Sequence, residues 1–455
     1  MTTTEIAERF AKKAPVAVMI RGLLDFAFAP DFVNPIAERF RSSTYTRDIE
    51  FAHLIALLSD VVFRVHPSVR AAYRNNDHCR AVAGLKCFYE KLQHVEPAVI
   101  AGWVAAVADR VAPLVGHPVS AEPVRGFRLR MLDGNHSAPT DRRSDGLEDV
   151  PAPLPGQALV VRDFASGLLS RLLACADAHT NERALLDDVL PWFAAGDCVV
   201  ADCNFCTEDF LTGRVKRGAS FVVRHHGSVG LQMVGERRRA GASPTGEIHE
   251  YGAKYAQTDG VVRVVETALT TPTQSGQTII RVLTDLTQKQ ADAMAVASVY
   301  LERRTIETAF QELEAGLQSE VSTLAYPRAA LFAFGVAVAV YNLLQVVRTT
   351  VERQRARGRC QALSGTLMSQ EVRSFWAGLG VALDGAPGFP AGDWTAGQMR
   401  EWLAAWSASM DLTRYAKSVR GPKKPRPLPR HVSKTHHGST HRVLQRRKEA
   451  PKKTP

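Results

Sequence analysis

Apolar positions change their period along the chain. Over residues 1–115 they recur at helical spacing, most clearly in FAHLIALLSDVVFRV (51–65) and AVIAGWVAAVADRVAPLV (98–115), and predict a helical N-terminal domain. At FRLRMLD (127–133) apolar and basic residues alternate, the period of a strand. QALVVRDF (157–164) follows the turn signal PLPG and reads as a second strand. CVVADCNF (198–205), an apolar run after Gly196, predicts a buried central strand, and SFVVRHHG (220–227) another. Between them NERALLDDVLPWF (181–193), with Asn181 as N-cap, and EDFLTGRVKRG (208–218) are helical. Strands alternating with helices predict an α/β unit.

Residues 228–287 hold several short alternating stretches separated by Gly, Pro, Ser and Thr, and predict a β-rich insertion. A long helix is expected over 290–320, then an apolar one over 327–350. Residues 351–415 are helical with a break at GAPGFPAGDW (385–394). From Lys417 the chain is rich in Pro and Lys and predicts a disordered tail. The expected division is 1–115, 116–227 (first part of the α/β core), 228–287, 288–350 (second part), 351–415 and 416–455.

Charge sharpens this division. The net charge is +11, yet residues 416–455 carry 13 Lys/Arg against Glu449 alone, so the other 415 residues sum to −1. A near-neutral body with a basic tail points to a polyanionic partner, most often nucleic acid. In residues 1–115 basic side chains such as Arg70, Arg74 and Arg80 are interspersed, and a DNA-binding module and a plain scaffold stay equally open. AALFAFGVAVAVYNLL (329–344) is short of the ~20 residues that span a bilayer and contains Asn342, so it reads as a core helix and no membrane is expected. The seven Cys (79, 87, 175, 198, 203, 206 and 360) are odd in number and scattered, which predicts reduced thiols in a cytoplasmic protein. Cys203 and Cys206 form a lone CxxC; His225 and His226, adjacent in a strand, point to opposite faces and make poor zinc partners for it.

The most informative segment is YLERRTIETAFQELEAGL (300–317). At 100° per residue, Tyr300, Arg303, Arg304, Glu307, Gln311 and Glu314 fall within an arc of roughly 100°. Ile306, Ala309, Phe310, Leu313 and Leu317 occupy another side. By geometry alone this is an amphipathic helix with an Arg303–Glu307 pair.

The same residues fit Y-x2-R-x3-E, the core of the Y-x2-R-x3-E-x6-K signature, and the segment resembles that of DDE transposases of the insertion-sequence-four family. RMLDGNHSAPTDRR (130–143) is similar to the family's first-aspartate block and VVADCNFCTEDFL (199–211) to its second, in the family's order. The resemblance covers about 125–350 and extends, more weakly, to the tail motif RGPKKP with Lys423 and Lys424. It implies a ribonuclease-H-like catalytic core in which Asp133, Asp202 and Glu307 are the metal-binding carboxylates. Tyr300, Arg303, Lys423 and Lys424 become DNA contacts. Three departures stand out: Cys203 follows Asp202 where the family usually has Arg, Arg304 replaces Trp, and Glu314 holds the Lys position.

Such a site is suited to phosphodiester cleavage. Two Mg²⁺ ions about 4 Å apart activate the attacking oxygen and stabilise the leaving one, and Mn²⁺ can substitute. The resemblance implies that Asp133 bridges both ions. It also implies double-stranded DNA partners (terminal inverted repeats and target DNA), a homodimer in the synaptic complex, and a bacterial, nucleoid-associated location. Relatives stack an aromatic side chain on a flipped base; Trp192 lies in the expected catalytic domain, although core packing suits it better. Two other readings remain at this point: an inactive or DNA-binding-only derivative, and a metal-dependent nuclease that does not integrate DNA.

Overall fold

The computed structural model describes residues 9–10, 12–42, 48–115, 123–136, 156–175, 180–255, 260–273, 276–355, 363–383, 392–408 and 410–417. Lys423, Lys424 and nearly all of the basic tail lie outside them.

Among the described residues the N-terminal part holds the helices α1 (Pro15–Ala27), α2 (Pro30–Phe40), α3 (Phe51–Val62), α4 (Val69–Arg74), α5 (Asp77–Val82), α6 (Leu85–Gln93) and α7 (Pro97–Val115). Their starts follow local rules. Proline heads α1 and α2, and the side chains of Ser68 and Asn76 accept from Ala71 N and Cys79 N to cap α4 and α5. Three more helices follow the sheet described below and pack with these: α12 (Pro327–Arg355), α13 (Gly365–Leu383) and α14 (Ala396–Ala408). Trp103 of α7 lies against Phe28, Phe51 and Phe332, with ring centroids 5.3–6.1 Å apart, and ties α3, α7 and α12 into one core.

The helical residues after 350 do not stand apart from the N-terminal ones. Glu371 of α13 is 8% exposed, and its Oε1 accepts from Val16 N (2.9 Å) and Ala17 N (3.3 Å) at the start of α1. A carboxylate there meets both free N–H groups and the positive end of the helix dipole. Tyr415 donates to the other oxygen. One residue thus clasps the two ends of the described chain.

The apolar stretch of 329–344 is part of a longer helix than its composition suggested. α12 has 29 residues, and it and α7 are both long and apolar enough to cross a membrane. Within α12, however, 94% of the apolar window is buried inside the protein, so its hydrophobicity is satisfied by packing.

Among the described residues the sheet has nine strands in the order β3-β2-β1-β4-β5-β9-β8-β7-β6. They are β1 (Arg128–His136), β2 (Gln157–Asp163), β3 (Leu169–Cys175), β4 (Asp197–Ala201), β5 (Ser220–Arg224), β6 (Leu231–Ser243), β7 (Gly246–Tyr255), β8 (Val262–Leu269) and β9 (Ile279–Thr284). β1, β4 and β5 run parallel, and β2 and β3 are antiparallel to the strands beside them. β9 pairs antiparallel with β5, so β6–β9, the β-rich stretch, extend the same sheet. Short turns flank β4: α8 (Leu186–Val189) with its 3₁₀ neighbours before it, and α9 (Glu208–Val215) after it. Asn181 accepts from Arg183 N as an N-cap, and Trp192 packs, partly buried, against the core on that face.

The pleat sends alternate residues into two cores. Leu129, Met131, Cys198, Val200 and Val222 join the helical core, whereas Leu132, Val199, Ala201 and Val223 join a smaller one on the opposite face. The alternation in FRLRMLD is therefore not a solvent-facing one. Arg130 is 5% exposed and donates to Ser170.

β3 is an edge strand, and α12 covers it. Asn342, fully buried, accepts from Leu169 N (2.8 Å) and donates to Leu169 O (2.9 Å), so its amide substitutes for a neighbouring strand. Asn342→Leu keeps the volume but leaves both backbone groups unpaired. It should cost about 3 kcal/mol of unfolding stability, read as a lower midpoint in urea. An unchanged midpoint would show that the amide bridge contributes nothing.

Candidate active site

Strand register sets the first two carboxylates side by side. Met131 pairs with Val200 and Leu132 with Ala201, and one step further the same parallel register sets Asp133 beside Asp202. By alternation both point to the face of the helical core, because Met131 and Val200 do. β5 continues the row: Ala201 pairs with Val223, so Arg224 stands next to Asp202.

The third carboxylate arrives from above this face. The single long helix expected over 290–320 is two helices, α10 (Ala293–Glu302) and α11 (Arg304–Gly316). At the junction, Arg303 N donates to Tyr300 O and Ile306 N to Arg303 O, i→i−3 bonds that tighten the turn. Thr305 Oγ1 donates to Glu302 O and accepts from Arg162 of β2 at 3.0 Å, pinning the junction to the sheet. The far end of α11 is held by Arg64, the one non-glycine residue of positive φ (60°) among those described, which donates to Glu314 O (2.8 Å) and Leu317 O (3.1 Å). The expected apolar side is buried at Ile306, Ala309, Leu313 and Leu317. The polar arc divides: Tyr300, Arg303 and Glu307 turn to the sheet, while Arg304, Gln311 and Glu314 are exposed.

The site is a set of compensated charges. Arg303 donates from Nη1 to Asp133 Oδ2 at 3.0 Å and from Nη2 to Glu307 Oε1. Its side chain is 13% exposed. Arg224 Nη1 lies 3.6 Å from Asp202 Oδ1, and Tyr300 donates to the same oxygen at 3.4 Å. The Cys203 thiol hydrogen-bonds Asp202, and burial, then that carboxylate, push its pKa up. Burial raises the Asp133 pKa to about 6; Arg303 and the Gly134 N–H oppose the rise, and Glu307 and Asp202 add to it. Burial, then Asp202, push Tyr300 up to about 12. For Arg303 burial acts downward, but Asp133, Tyr300, Asp202 and Glu307 outweigh it and hold the charge above its usual range.

Asp133, Asp202, Glu307, Tyr300 and Arg303 therefore meet in one place, and Lys423 and Lys424 fall outside the described residues. Arg224, Arg162 and Arg64 were missed by sequence reasoning. Only Arg224 carried a usable signal, as a charged residue closing an apolar strand beside the Asp202 strand. His225 and His226 bond locally, to Val229 O and Ser228 Oγ.

Among the described residues no group of three His, Cys, Asp or Glu side chains is close enough to hold a metal ion. The donor set nonetheless suits one: three carboxylates converge on one face, and two of them already grip a cation, the Arg303 guanidinium. The guanidinium of Arg303 lies between Asp133 and Glu307.

The family model "Transposase DDE domain" matches residues 158–343, which include Asp202, Tyr300, Arg303 and Glu307 and begin after Asp133. On that match the chain is similar to DDE transposases, and its function is that of a DNA transposase. No curated protein matches the chain. Among solved structures, a piggyBac transposase synaptic complex with hairpin DNA is similar at 10% identity and a TM-score of 0.42, covering 96% of this chain and 91% of that one.

Asp133 gives the site a pH signature. Its folded pKa of about 6 lies above the ordinary 3.8, so the folded state holds a proton that the unfolded chain releases between those values. Its contribution to stability is present below pH 3.8 and is lost as pH rises to about 6. In metal-free buffer, the melting temperature of the wild type relative to Asp133→Asn should fall across this window. A constant difference would mean that burial does not tax the charge.

Proposed function

We propose that the protein is a cut-and-paste DNA transposase of the insertion-sequence-four type, with a ribonuclease-H-like core in which Asp133, Asp202 and Glu307 are the catalytic acids. The observation that carries this reading is their convergence: two acids on neighbouring parallel strands and one on the helix above them. The central order β3-β2-β1-β4-β5, with β2 antiparallel and β1, β4 and β5 parallel, supports the core assignment.

Asp133 lies within electrostatic reach of both other acids, which suits it to a shared position between two Mg²⁺ or Mn²⁺ ions, with Asp202 and Glu307 on either side. When bound, such ions would activate the attacking oxygen and offset charge on the leaving one. The chain's own groups supply the rest. Arg224 and Tyr300 steady Asp202, Arg303 can turn to a DNA phosphate, and Arg162 with Thr305 holds the helix junction that aims Glu307. Double-stranded DNA at the transposon ends and at the target is the partner, a homodimer would bridge two ends, and the setting is the bacterial cytoplasm.

Asp133→Ala, Asp202→Ala and Glu307→Ala should each abolish Mg²⁺-dependent cleavage of transposon-end DNA while leaving DNA binding largely intact. Wild-type cleavage by any of the three would remove that residue from the set. Deleting residues 416–455, with their net +12, should weaken DNA binding and reduce the slope of log affinity against log salt. An unchanged slope would show that the tail does not meet phosphate.

A further inference from the structure

Two of the three carboxylates already share a cation. Arg303 bonds both Asp133 Oδ2 and Glu307 Oε1 and is largely enclosed, at 13% exposed. A divalent ion such as Mg²⁺ needs its oxygens at about 2.0–2.1 Å. A guanidinium lying across Asp133 Oδ2 and Glu307 Oε1 puts a fixed positive charge where the ion would bind, and the two cations repel. Arg303 and a metal ion therefore compete for one seat.

Arg303 is also placed to leave it. It sits at the junction of α10 and α11, where the regular i→i−4 ladder gives way to i→i−3 bonds. Its guanidinium is held by Asp133 and Glu307, and rotation about its side-chain bonds leaves the backbone of that junction unchanged. The group best able to draw it off is another planar anion that accepts two parallel N–H bonds, and a DNA phosphate is one.

We propose that Arg303 is the resident counter-cation of the DNA-free site, and that the carboxylates load metal as DNA phosphate takes Arg303 away. This rests on the reading of Asp133, Asp202 and Glu307 as the metal-binding set. DNA and metal then bind cooperatively, because each favours the state in which Arg303 has left the acids. The protein is thereby kept from holding a competent metal centre in solution, away from its substrate.

The test uses Mn²⁺ alone with the full-length, DNA-free protein, followed by titration calorimetry and by the electron paramagnetic resonance signal of free Mn²⁺. Arg303→Gln, which keeps length but not charge, should bind Mn²⁺ about tenfold more tightly than the wild type or better. Arg303→Lys, a point charge without the fork, should fall between them. Equal affinity of the wild type and Arg303→Gln, both folded by circular dichroism and both losing the ion on Asp133→Asn, would overturn the proposal and leave the carboxylate set standing. Mn²⁺ binding to Arg303→Gln that survives Asp133→Asn together with Glu307→Gln would instead overturn the carboxylate set. Weaker Mn²⁺ binding by a folded Arg303→Gln would show that Arg303 organises the acids rather than guarding them, and would also overturn the proposal.

Discussion

The contact on which the site depends is the forked guanidinium of Arg303 across Asp133 and Glu307. Gathering acids in a partly buried place is unfavourable on two counts, lost hydration and mutual repulsion. Asp133 registers both, through its raised pKa. An arginine beside each cluster lets the fold assemble the carboxylates before any external cation is present. Arg224 does for Asp202 what Arg303 does for the other two, at a longer distance. The result is a pre-assembled set of acids whose charge is offset from within.

The precision of that set comes from rigid elements far larger than the site. Parallel pairing of β1, β4 and β5 gives Asp133, Asp202 and Arg224 consecutive places in one row. The face they share is decided by two cores that leave neither side of the strands free to slip by one residue. Arg162 and Arg64 then fix the two ends of the segment that carries Glu307, one from the sheet and one from the helical body. Helices from before and after the sheet meet around α12, which also seals the β3 edge through Asn342. In this way the helical residues support the position of a carboxylate they never touch.

The match to a transposase domain covers every acid of the site except Asp133. The matched stretch starts at Ala158 and so leaves out β1. Asp133 enters through the sheet, because β1 is the parallel neighbour of β4 on the side away from β5. Cys203 stands where the family resemblance expects a basic residue beside Asp202. In the fold its thiol bonds that carboxylate, and the nearby positive charge comes from Arg224 on the adjacent strand.

Much of this was legible in the chain itself. Period-two and period-3.6 patterns marked β1, β2, β4, β5, α3 and α7, since those elements bury one consistent face. The Y-x2-R-x3-E spacing put Tyr300, Arg303 and Glu307 on one helical side by simple rotation. The sequence determined the identity and local spacing of the acids, because both are properties of neighbours along the chain. It did not reveal β3, whose LSRLLAC mixes polar residues into an edge strand, nor the break at Arg303, where helix-forming residues give way to a tightened turn. Tertiary structure alone decided that Arg303 lies across Asp133, that Arg224 serves Asp202, and that Glu371 joins the two ends. Those contacts link residues from tens to hundreds of positions apart, and their geometry is set by strand order and helix packing, which no local pattern encodes.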